Sequence, residues 1–269
     1  ASWDDSQYED PGNWPRVSFV NDYVDPIVVA ATLSYSGVDP SIARVHNVRA
    51  GADDARFGLI EWKASPDDHA AVDTIFYIVA EAGCHDIDLD DGSELSFCAG
   101  SKTSSDTKWV NDNGKTSEIT YATGFSATPA VFAGVSTYQS NNINNTTDVN
   151  NREVPELTVR ADEIDGSGFD FLLSSPNNGG ASFKFKRQEL VHWIAIEKQR
   201  GTTAIGTKFE VGDIASVNHS GTNTAFSSSF SDQPFLGVAS QTHDTDNMSS
   251  SYFVRIGEES GDSGGTGWT

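Results

Sequence analysis

A tryptophan near the end of one apolar run has neighbours that could bind a carbohydrate. Trp62 ends the run Phe57–Trp62, and Glu61, Lys63 and His69 stand close to it in sequence. A tryptophan at a strand end can stack on a sugar ring while polar neighbours hydrogen-bond the hydroxyl groups. These residues are therefore the candidate sugar site, and the alternative is a tryptophan that only packs at the rim of a core. Trp193, beside His192 in an apolar run, is expected to pack in the core.

A second candidate site consists of carboxylates that alternate along the chain, as in a calcium-binding loop. Its members are Asp86, Asp88, Asp90, Asp91 and Glu94. The EF-hand pattern is not matched, because Asp91 stands at its sixth position and Phe97 at its twelfth. Such a loop would bind Ca²⁺ or Na⁺, and the alternative is a solvated acidic turn. No other cofactor is indicated.

Two cysteines, Cys84 and Cys98, flank this acidic segment. In a chain with extracellular character we expect a disulfide that closes the local loop. Two free thiols are the alternative. A metal site is less well supported, because no second cysteine pair or nearby histidine pair completes the ligand set.

A catalytic string and four glycosylation sequons also occur. Residues 261–265 read Gly-Asp-Ser-Gly-Gly, like a serine-protease nucleophile, but a protease needs a His and an Asp within reach and a specificity pocket. We therefore expect no enzyme activity. The asparagines of the sequons, which an extracellular protein could glycosylate, are Asn144, Asn145, Asn218 and Asn247.

The element that must position these residues is a motif that recurs along the chain. Each copy has two aromatic residues four positions apart, then a proline and an apolar run. The copies are Phe19/Tyr23/Pro26, Tyr121/Phe125/Pro129 and Phe226/Phe230/Pro234. This spacing, 102 residues from Phe19 to Tyr121 and 105 from Tyr121 to Phe226, indicates a repeat protein.

Short β-branched and aromatic runs between turn residues predict strands, and no long helical pattern is found. The fold expected is all-β: tandem antiparallel β-sandwich modules with an incomplete third module. The predicted boundaries are an arm at 1–16, module one at 17–101, module two at 102–210 and the third module at 211–269. The third module lacks counterparts of the runs Phe169–Leu173 and Leu190–Glu197.

The second copy resembles the H-type lectin family, the snail agglutinin type. The resemblance is carried by Tyr121/Phe125/Pro129, by Gly168-Phe169 and by Trp193–Glu197, and more weakly by residues 17–81. It implies six-stranded antiparallel sandwiches that commonly form trimers and bind sugars at the subunit boundary. It also implies an arginine four residues before Arg44, a position that Pro40 occupies in this chain.

The charge of the chain limits its partners. There are 39 acidic against 17 basic residues, a net charge of -22. Such a surface repels nucleic acid and anionic membranes, and no apolar run approaches the roughly 20 residues that span a bilayer. Acidic residues spread among strand-like runs are typical of adaptation to high salt. An ordinary acidic secreted protein is the alternative.

Together these features predict a non-catalytic extracellular structural protein, a filament, virion or cell-envelope subunit. Its partners would be copies of itself, as a trimer or a filament, because half a sandwich leaves unpaired strand edges that another chain can complete. The alternative is a carbohydrate-binding adhesin or lectin with glycan partners.

Overall fold

The computed structural model describes residues 14–33, 41–48, 51, 53–61, 75–104, 117–137, 157–174, 188–213, 224–226, 230, 241–242 and 267–268. These residues form seventeen β-strands and no helix, so the all-β class predicted from the sequence is confirmed. Within the same ranges there is accordingly no helix of a length and apolarity that would cross a membrane.

The first five strands form two antiparallel sheets that face each other; we call them the first strand set. They are β1 (Arg16–Ser18), β2 (Pro26–Leu33), β3 (Ser41–His46), β4 (Asp54–Glu61) and β5 (Ile75–Glu81). One sheet has the order β1-β4-β3, and the other pairs β2 with β5. The core between the two sheets includes Val28 of β2, Val45 of β3 and Phe57 of β4.

The next seven strands form the second strand set. They are β6 (Gly83–Asp88), β7 (Glu94–Thr103), β8 (Ser117–Thr120), β9 (Ala130–Val135), β10 (Thr158–Asp162), β11 (Gly168–Ser174) and β12 (Leu190–Ile196). One sheet has the order β6-β7-β12-β9, and the facing sheet contains β10-β11-β8. The core between these sheets is built around Tyr121, Phe169 and Trp193.

Five short strands follow. They are β13 (Arg200–Thr202), β14 (Lys208–Glu210), β15 (Thr224–Ala225), β16 (Gln241–Thr242) and β17 (Gly267–Trp268). β13 and β14 form a hairpin, and β15 pairs with β17. β16 pairs in parallel with β10 and so extends a sheet of the second set. We call β15, β16 and β17 the third segment.

A further core, which we call the shared core, joins the two strand sets. Its buried members are Ile27 and Val29 of β2, Ala99 of β7 and Ile194 of β12. Because successive side chains of a strand point to opposite faces, β2 sends Ile27 and Val29 into the shared core and Val28 into the core of the first set. Four sheets therefore enclose three cores. Both faces of β2 and β12 are covered, which accounts for their near-continuous apolar sequences.

The recurring motif adopts the same local geometry in each copy, with the two aromatic rings edge to face. The ring centroids lie 5.7 Å apart in Phe19–Tyr23, 5.0 Å in Tyr121–Phe125 and 5.0 Å in Phe226–Phe230. The strand orders also recur, because β1-β4-β3 matches β8-β11-β10 and β2-β5 matches β9-β12.

Two expected boundaries are displaced in the structure. Trp14 is buried and Arg16 begins β1, so the first sheet starts inside the segment 1–16 that was expected to be an arm. Trp14 lies against Gly58, where an added Cβ would be 2.4 Å from the indole ring. The boundary at 101/102 cuts β7, which pairs with β12 from Phe97 to Thr103. The hairpin β6–β7 thus joins the second set through long-range pairing.

Candidate functional site between the strand sets

The expected sugar site is described only at one residue. Glu61 ends β4, opposite Ser41 of β3. Trp62, Lys63 and His69 lie outside the described residues. The four sequons and residues 261–265 also lie outside them.

The carboxylates of the acidic segment lie along the hairpin β6–β7 and its turn. Asp86 accepts a hydrogen bond from the Ser96 hydroxyl (2.7 Å). Asp91 accepts bonds from the hydroxyl (2.6 Å) and backbone N–H (2.9 Å) of Ser93, and these bonds lower the pKa of Asp91. Nowhere in the described ranges do three or more His, Cys, Asp or Glu side chains come together as a metal site would require. The structure thus does not bring the five candidate ligands together.

The turn of this hairpin meets the turn of the hairpin β13–β14. Leu89 and Thr203 form an antiparallel bridge. The N–H of Asp90 donates to the carbonyl of Thr202, and the N–H of Ala204 donates to the carbonyl of Asp88, both at 2.9 Å. The acidic turn is therefore tied to an equivalent turn from the following repeat.

The disulfide expected between Cys84 and Cys98 is present. The two residues are direct cross-strand partners in β6 and β7, with Cα atoms 4.0 Å apart. Cys98 packs in the core of the second set. The bond therefore fastens the hairpin at the end away from its turn.

The site with the most buried polar chemistry lies where the two strand sets meet. Arg44 of β3 and Glu189, just before β12, approach to 3.6 Å, with side chains only 1% and 0% exposed. Arg44 also donates to the carbonyl of Thr137 (2.5 Å), and the Thr137 hydroxyl donates to Glu189 (2.5 Å). The Ser104 hydroxyl accepts the N–H of Glu189 at 3.0 Å. A buried charge must be paired and hydrogen-bonded in this way to be tolerated.

His192 of β12 forms a second polar contact between the sets. Its Nδ1 accepts a hydrogen bond from the backbone N–H of Val28 at 3.0 Å, and its ring is buried. An accepting ring nitrogen carries no proton, so His192 is neutral with its proton on Nε2. Burial lowers the pKa of His192 to about 4. A histidine held in this state pairs with backbone and is not placed as a general base.

The arrangement therefore fastens two sheets together. The expected core position of His192 and Trp193 agrees with their burial. Glu189 and Thr137 were not singled out from the sequence, because their partner Arg44 comes from a distant part of the chain. A usable signal was the recurrence of an arginine at Arg44 and Arg160 within the repeats.

Comparison of the chain with protein-family models, with curated protein sequences and with solved structures finds no match. The functional proposal therefore depends on the geometry alone.

Proposed function

We propose that this chain is a non-catalytic structural protein of an extracellular assembly, a filament, virion or cell-envelope subunit. The observation that carries the proposal is the contact between the strand sets, which combines the shared core with the buried Arg44–Glu189 pair and the His192–Val28 bond. A surface of this kind holds repeats together and offers no described group to a substrate.

The strand sets are proposed to be tandem β-sandwich modules, and the third segment the start of another. The recurring strand orders and the three edge-to-face ring pairs support this interpretation. Residues that carry the resemblance to H-type lectins also cluster in space. The ring of Tyr121 lies 5.0 Å from Phe125, 6.1 Å from Phe169 and 5.7 Å from Trp193. The proposal therefore includes H-type lectin-like repeats.

A neighbouring copy is proposed to complete the third module with one strand. Two hairpins support this step. In each, the first turn residue, Leu89 or Thr203, accepts the N–H of the turn glycine, Gly92 (3.2 Å) or Gly206 (2.8 Å). β7 of the first hairpin pairs with β12, whereas the sheet that contains β14 has two strands among the described residues. An exposed edge of this kind accepts a strand by main-chain hydrogen bonding.

An extracellular, high-salt location is proposed from the disulfide and the charge. Disulfides persist in oxidising compartments, and Cys84 and Cys98 are joined. The net charge of -22 would oppose assembly at low ionic strength and would be screened at high salt.

Sedimentation velocity across a concentration series in about 1 M salt tests the proposal. We expect assemblies that grow with concentration. A monomer at every concentration would contradict the assembly proposal. If that monomer bound glycans on an array and lost binding on Trp62→Ala, the adhesin alternative would replace it.

A further inference from the structure

We propose that Arg160 docks the third segment onto the second strand set through the same kind of contact that Arg44 makes between the first two sets. The inference rests on the proposed function, because it states how successive units of the repeat are joined. The partner it identifies for the surface around Arg160 is a unit of the same repeat.

Arg44 and Arg160 hold the same position in the recurring sheet. Arg44 of β3 is opposite Gly58 of β4, and Arg160 of β10 is opposite Leu172 of β11. Each arginine is followed by a residue of its own set's core, Val45 after Arg44 and Ala161 after Arg160. Both arginines are buried.

The acceptor that serves Arg44 also has a counterpart in the third segment. Thr137, whose carbonyl accepts from Arg44, stands eight residues after Pro129. Thr242 stands eight residues after Pro234, the proline of the third motif. The repeat therefore aligns Thr242 with Thr137.

The chain brings this counterpart to Arg160. β16 runs beside β10 with Gln241 opposite Arg160 and Thr242 opposite Ala161. A buried guanidinium needs acceptors in its immediate surroundings. The backbone carbonyl at Thr242 is the acceptor that the repeat places there, and we assign it this role.

The contact has a direction. Arg44 of the first set reaches the second set, whereas Arg160 of the second set meets the third segment. Interfaces in which different surfaces meet are heterologous and pass from unit to unit in one sense. Each unit thus presents an arginine to the next unit and a strand-end carbonyl to the previous one.

Hydrogen exchange measured by mass spectrometry on the full chain tests the assignment with Arg160→Met. We expect the amides at Gln241 and Thr242 to exchange about tenfold faster, as loss of one charge-assisted hydrogen bond implies. The amide of Val28, which donates to His192, should keep its protection. Arg44→Met should have the opposite pattern, exposing Val28 and sparing Gln241.

Arg200→Met is the matched control, because it removes the same charge from an exposed position in β13. Unchanged exchange at Gln241 and Thr242 in Arg160→Met, relative to this control, would overturn the assignment. Arg160→Lys, which keeps the charge but loses the planar fork, should give a smaller increase at the same two amides. A uniform loss of protection throughout the second set in both Arg160 variants would assign Arg160 to its own sheet and would also overturn it. These readouts do not depend on the association of copies, so they are separate from the sedimentation test.

Discussion

The guanidinium of Arg44 lies 3.6 Å from the carboxylate of Glu189, and the two buried side chains come from different strand sets. Apolar packing alone would allow the two sheets to slide or rotate against each other, because the hydrophobic effect is not directional. A buried ion pair adds little net stability, but a misaligned one leaves a charge without its partner. We therefore interpret the pair as fixing the alignment of the two sets.

Arg44→Met should lower the free energy of unfolding by about 3–5 kcal/mol, because it leaves Glu189 buried without its cation. The double variant Arg44→Met/Glu189→Leu should recover most of this loss. Denaturant unfolding measures both values, with the exposed Arg200→Met as a control for charge. Losses that simply add in the double variant would contradict the pairing.

The stability of the interface should fall in acid through His192. The folded state lowers the pKa of His192 from 6.5 to about 4, so the neutral ring is favoured on folding. The resulting stability is complete above pH 6.5 and is lost as the pH falls towards 4, by about 3 kcal/mol in all.

His192→Asn keeps an acceptor near Val28 but does not titrate, so it isolates this effect from the many carboxylates of the chain. The difference in unfolding free energy between wild type and His192→Asn, measured from pH 7 to pH 4, should change in favour of the variant. A difference independent of pH would show that His192 does not carry the buried neutral ring.

Tyr121→Phe should stabilise the protein by roughly 1 kcal/mol. The Tyr121 hydroxyl is buried and has no hydrogen-bond partner among the described residues, and burial raises the pKa of Tyr121. The same motif position holds Phe19 and Phe226 in the other copies, so a phenyl ring suits it. Thermal unfolding should reveal the gain, with Tyr23→Phe as the control for a less buried hydroxyl. A loss of stability would mean that the hydroxyl has a role in the fold.

The melting temperature should rise by several degrees between about 0.1 M and about 1 M salt, because the Debye length shrinks from about 10 Å to about 3 Å and the net charge of -22 is screened. NaCl and KCl should act alike if screening is the cause. The coupling between Arg44 and Glu189 should not respond, because the pair is buried. A flat or falling melting curve would remove the support for a high-salt protein.

The strands could be predicted from sequence because their signals are local. The apolar runs that became β2 and β12 predict strands, and the paired aromatics predict recurring edge-to-face contacts. The layering was not predictable, since an apolar run does not say which sheet will cover each of its faces. The boundary placed at 101/102 failed for this reason, because the pairing of β7 with β12 is a long-range choice of register.

The interface chemistry was equally hidden from the sequence. Arg44 stood out as a recurring arginine, but its partners Thr137 and Glu189 belong to the next repeat. The carboxylates from Asp86 to Glu94 suggested a cation site by their alternation. Their placement along a hairpin, with Asp86 and Asp91 bonded to serines, separates them instead.

Cryo-electron microscopy of the protein assembled in high salt tests the central claim most directly. The account predicts continuous density for one extended strand from a neighbouring copy, hydrogen-bonded along the edge of β14 as β12 is bonded along β7. Discrete single-chain particles, or an edge of β14 covered by the chain's own residues, would contradict it.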